Sequence, residues 1–325
     1  MAARNVLDRA PAPALVAVGA VSVQLGAAVA TRLFDRVGPV GAVTLRLGFA
    51  AAVLLVVVRP GPAVLRGAGR RRADLAVVAA FGLLLAGMNL LFYSSIARIP
   101  LGVAVTVEFV GPLAVTLGGS RRRLDLVWAL LAATGVFLLA GSGLVSGRHL
   151  DPVGVGMALG AGTCWAGYIV LSAETGRRFP GSSGLALAMV VGAAATVPAG
   201  LATAGARLVE PAVLAMGFGV AVLSSALPYS LDLAALRRLT PRAFGILMSM
   251  DPALAALVGF AVLGQRLSPT ELAALVLVAA ANAGSSAADA RAGPSSAGPR
   301  APRGEGVRLC AGGDAGGRSG TRRSA

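Results

Sequence analysis

Ten long apolar runs, divided by short stretches of arginine, proline and glycine, leave this chain few choices of fold. They fall near 13–31, 41–58, 74–95, 102–119, 124–142, 152–173, 183–204, 212–235, 242–263 and 269–288. A bilayer core of about 30 Å is crossed by about 20 apolar residues in a helix. Only 13% of the 325 residues are charged, where a soluble domain carries about 25%. The expectation is therefore an all-α polytopic membrane protein of about ten transmembrane helices. After Ala288 the sequence turns to Gly, Pro, Ser and Arg, a composition that buries little apolar surface. Residues 289–325 are expected to form a disordered basic tail.

The net charge is +15, and all 29 basic residues are arginine. A nucleic-acid binder gathers such residues on one polar face with aromatic platforms. Here almost all of them lie between apolar runs, so the expected partner is the lipid bilayer and no nucleic acid. With a cytoplasmic N-terminus, the inner segments hold 15 arginines and the outer ones 6, Arg32, Arg36, Arg98, Arg148, Arg207 and Arg266. Cytoplasmic loops are the arginine-rich ones. Both termini are thus expected inside, with an even number of spans. Ala28-Val29-Ala30 resembles a signal-peptidase site, but the repeat below needs the first span, so it is expected to be retained. Cys164 and Cys310 form no disulfide framework, and His149 reads as a solvated loop residue.

An internal repeat relates Pro112 to Pro252, 140 residues apart. VEFVGPLAV (107–115) then faces LMSMDPALA (247–255). Each half holds a long span, a basic turn, a proline-bearing span and a further span. Five spans per half is an odd number, so the halves 1–147 and 148–288 enter the membrane inverted. Inverted repeats place a secondary transporter's substrate site near midplane, at the repeat interface.

Ionised groups at that depth are costly, about 2.5–3.5 kcal/mol each on an insertion scale, and face a cavity or a partner. Glu108 and Asp251 lie near the middle of their spans, Arg46 lies inside the second, and Asp232 lies near a span end, one turn from Arg237. A carboxyl withdrawn from water suits proton exchange. Pro112 and Pro252 are expected as kinks. Each proline leaves the carbonyl four residues earlier without its usual donor, Glu108's and Met248's. Two readings of Arg46 stand equally: a structural partner of Glu108 or of helix-end carbonyls, or a ligand for a substrate carboxylate. Asn89 and Tyr93 share a face, as do Trp165 and Tyr168. With Gln24 and Tyr229, they are candidates to line a pocket. HExxH, GxSxG, P-loop and Cys/His clusters are missing from the sequence, so no enzyme and no cofactor is expected. Coupling would then be to a proton gradient.

Several stretches resemble one family: GMNLLFYSSIARIPLGVAVTVEFVGPLAV (87–115), SRRRLDLVWALLA (120–132), ALGAGTCWAGYIVLS (158–172), LSSALPYSLDLAAL (223–236) and FGILMSMDPALAA (244–256). The chain resembles the EamA-type drug/metabolite transporter superfamily. The resemblance implies an inner-membrane exporter of small neutral amino acids or related metabolites, exchanging them for protons by alternating access. Glu108 matches the family's acid in E-F-x-G-P-L-A, and Arg46 matches the arginine of its L-R-L stretch. Asp251 stands before a proline where the family usually has Glu. The implied partner is a small-molecule substrate, and a homodimer is compatible with it. Export of a drug, purine or other metabolite, and a non-transporting scaffold, remain the alternatives. Phosphorylated substrates would ask for more buried arginine than Arg46 alone.

Overall fold

The computed structural model describes residues 11–59, 72–118, 123–146, 150–179, 182–228 and 247–291, with isolated positions from 231 to 244. Every regular element among them is helical. Helices satisfy their own backbone groups, which an apolar solvent requires. In chain order they are α1 (Ala12–Val58), α2 (Arg72–Ile96), α3 (Leu101–Glu108), α4 (Val110–Gly118), α5 (Arg123–Ser146) and α6 (Pro152–Arg178). Then come α7 (Ser183–Ala204), a 3₁₀ turn (Gly205–Val209), α8 (Pro211–Ala221), a π turn (Val222–Ala226), α9 (Asp251–Leu263) and α10 (Pro269–Arg291). Large apolar side chains remain exposed around the outside, Phe137 at 77%, as a lipid-facing surface requires.

The boundaries differ from expectation in instructive places. The first two apolar runs form one helical stretch, α1, broken at Gly38 alone, whose φ of 67° suits glycine and which Pro39 follows. The chain doubles back there. Ser22 Oγ donates to the Leu223 carbonyl at 2.7 Å, and Arg46 Nη2 reaches the adjacent Ser224 carbonyl at 3.4 Å. Along a straight helix Ser22 and Arg46 would stand about 36 Å apart. The run at 102–119 is two helices, parted at Phe109, three residues before Pro112. Pro252 occupies the first turn of α9 rather than kinking a continuing helix, because residues 249 and 250 form a turn. Proline is pre-shaped for that first turn, where its missing N–H leaves nothing unpaired. Asp232, His149 and Cys310, with the tail after Arg291, lie outside the described residues.

Small residues let the helices that carry the acids approach closely. A Cβ on Gly102 of α3 would lie 2.8 Å from the Ala256 Cα of α9. One on Gly162 of α6 would lie 2.5 Å from the Glu108 carbonyl oxygen. Helices α3 and α9 run antiparallel, with Gly102 against Ala256 and Glu108 and Asp251 at one end of the pair. At the other end the Gln265 side chain accepts from the Leu101 backbone N–H at 2.9 Å, capping α3.

Candidate functional site

Both acids and the buried arginine meet at one cavity. Its volume is about 230 Å³, and its walls come from α1, α2, α3, α6, the π turn and the start of α9. Glu108, Asp251 and Arg46 line it, with Asn89, Trp165 and Tyr168 from the candidates named above. Glu108 is buried, and the charges of Arg46 and Asp251 both act on its carboxyl. Tyr229 lies outside the described residues.

Arg46 is held from two sides. Its Nη1 donates to the Tyr93 hydroxyl at 3.2 Å, and its guanidinium carbon stands 5.3 Å from that ring's centroid. The second hold, at the Ser224 carbonyl, has a local cause. Pro228 lies four residues on and has no N–H, so that carbonyl loses its α-helical donor. The helix widens into the π turn there, a distortion common at functional sites. Arg46 supplies the replacement donor. Its Nε is buried and has no partner among the described residues.

Tyr93 thus sits elsewhere than expected. It is fully buried behind Arg46, positions the guanidinium and takes no part in lining the cavity. Asn89 spends one amide donor on the Leu85 carbonyl of its own helix, 2.8 Å away. The Gln24 side-chain oxygen lines the cavity without a partner among the described residues. Trp165 packs edge-on against Phe109 at 5.0 Å, and Tyr168 tilts against Phe81 at 5.2 Å. The carbonyl that Pro112 deprives of its donor, Glu108's, packs against the backbone of Gly162.

Sequence profiles and relatives place the chain in a family. The profile of the EamA-like transporter family matches residues 152–286. Threonine/homoserine exporter RhtA of Escherichia coli K12 is 44% identical over 271 residues, 83% of this chain and 90% of that protein. RhtA of Salmonella typhimurium SL1344 is 44% identical over 274 residues, 84% of this chain and 90% of that protein. The chain belongs to the EamA-like transporter family. Family membership and the apolar helices make it a multi-pass membrane protein. A solved crystal structure, 20% identical, aligns with this EamA protein at a TM-score of 0.57 over 87% of this chain and 99% of its own. That likeness concerns the fold.

Sequence reasoning missed part of the EamA site. Met88, Phe92, Phe109, Ser224, Pro228 and Met248 also line the cavity. Ser224 had a usable signal, the proline four residues after it. The apolar residues had none, since the described helices are apolar along most of their length. A larger polar cavity, about 710 Å³, opens at the opposite end of the α3–α9 pair, between Arg98, Asp151, Arg266 and Glu271. Arg98 donates to Asp151 at 2.8 Å and holds that carboxyl below its usual range. Asp151 also accepts from the Val153 N–H and so caps α6.

Proposed function

We propose that this chain exports small neutral amino acids of the threonine/homoserine class across the inner membrane, in exchange for protons. The carrying observation is the central cavity, where one arginine and two acids of separate helices face a volume of about 230 Å³. In this reading the Arg46 guanidinium meets the substrate carboxylate, Asp251 meets its ammonium, and Glu108 takes up and releases the proton. Phe92, Phe109, Trp165 and Tyr168 shape the apolar part. The curated relatives named as threonine/homoserine exporters support the substrate class.

Two inverted five-helix halves, 1–147 and 148–288, would rock around this site with both termini cytoplasmic, as the arginine distribution favours. No cofactor is invoked, since the proton gradient supplies the drive. The test is counterflow in proteoliposomes with a panel of labelled amino acids under imposed pH gradients. Threonine or homoserine should accelerate uptake, and an outward substrate gradient should move protons inward. Folded protein that accelerates none of the panel refutes the reading.

A further inference from the structure

A second, smaller cavity shares a wall with the central one. It holds about 190 Å³ between α2, α6 and the start of α7. Tyr168 lines both spaces, and its ring packs on Phe81, which lines the smaller one. Beyond Tyr168 three hydroxyl residues, Ser172, Thr175 and Ser182, line a half-open space otherwise bounded by aromatic, leucine and glycine residues. Ser172 Oγ donates to the Ile169 carbonyl of its own helix, which leaves its oxygen able to accept. Thr175 is the unusual member. It is 4% exposed, yet its hydroxyl has no partner among the described residues. A buried hydroxyl without a partner costs about 1–3 kcal/mol; this one is shut off from the space in the present state, so a ligand meets it only when the wall around it shifts. Tyr168 lies ten residues, about 15 Å, from Arg178 at the end of α6. There Arg178 meets Asp74 of α2 at 2.9 Å. Along α6, the cavity-lining residues Ser172, Thr175 and Gly176 fall between Tyr168 and that ion pair.

We propose that this cavity is a staging site for a hydroxyl-bearing amino acid, reached from the cytoplasmic end of α6, with Tyr168 as the partition it passes to reach Arg46. The inference rests on the transport reading above and adds where the substrate stops first. Thr175 and the serines recognise the side-chain hydroxyl before the central charges engage the carboxylate and ammonium. Hydroxyl-bearing substrates thereby gain over alkyl ones of equal size.

The test places a reporter thiol at Ser172 in the full chain, with Cys164→Ala and Cys310→Ser, in vesicles of defined sidedness. A membrane-impermeant maleimide is applied from either face, with threonine, homoserine or 2-aminobutyrate present. The thiol should react from the cytoplasmic face. Threonine and homoserine should slow the reaction at least threefold, and 2-aminobutyrate should not. Adding Thr175→Val, which keeps the volume and removes the hydroxyl, should abolish that protection. Labelling from the outer face alone overturns the proposal, as does equal protection by all three compounds or by none. Protection with no counterflow of any amino acid removes the exporter reading and leaves the binding site standing. Counterflow of threonine without protection removes the staging site alone.

Discussion

Substituting alanine at Gly162 should damage transport far more than a one-carbon change suggests. The new Cβ would lie 2.5 Å from the Glu108 carbonyl oxygen, 3.2 Å from its carbonyl carbon and 3.3 Å from its Cα. Ordinary contact begins near 3.4 Å, so α3 and α6 must part by about 0.9 Å. Backbone atoms do not swing aside as a flexible side chain does, and the shift falls on the residue assigned to the proton. Overpacking of this kind typically costs about 1–3 kcal/mol. Even the lower end approaches the 1.4 kcal/mol that equals tenfold in a rate or an equilibrium. Counterflow of labelled threonine should therefore fall about tenfold, and the detergent-solubilised protein should melt several degrees lower. Gly156→Ala is the control. It lies on the same helix with nothing within 4 Å of the added carbon, and alanine is the better helix former. It should transport normally and melt no lower. Wild-type transport and melting in Gly162→Ala would refute the contact.

Glu108→Gln should keep substrate exchange while losing the response to an imposed pH gradient, read by counterflow with and without that gradient. Tyr93→Phe removes one hydrogen bond to a charged donor, worth about 1.5–3 kcal/mol, but keeps the ring under the guanidinium. The half-saturating threonine concentration should rise about tenfold, and an unchanged value would show that Tyr93 does not hold Arg46. Pro228→Ala restores a backbone N–H to compete for the Ser224 carbonyl, so threonine affinity should fall in the same assay. Asp151→Asn keeps a capping side chain and removes the charge that Arg98 holds. Asp151 has a folded pKa below its unfolded one, so its ionic contribution is present above about pH 4 and fades as the pH falls through the folded value. The melting difference between this variant and wild type should exist at neutral pH and vanish in acid.

Helix placement was legible at several of the apolar runs. The run at 183–204 coincides with α7, and that at 74–95 falls within α2. Gly38 was not legible as a one-residue reversal, because helical periodicity continues through Asp35 and Arg36 on either reading. The charged members of the site stood out because ionisable groups are rare in apolar runs. Their packing did not. Phe92 lines the cavity and Tyr93, the next residue, is turned away behind Arg46, a difference set by which neighbouring helix each meets. Pro252 read as a kink from its place in an apolar run, whereas the turn at residues 249 and 250 makes it a helix start.

The cap on α3 bears on how the protein is made. Leu101 depends on a side chain 164 residues further along the chain. At about 5–20 residues per second of synthesis, Gln265 leaves the ribosome roughly 8 to 33 s after Leu101. During that interval the nascent α3 lacks both this cap and α9 beside it. The helix bearing Glu108 therefore settles late, and a polypeptide released before residue 265 would carry all its early spans and still lack a finished centre.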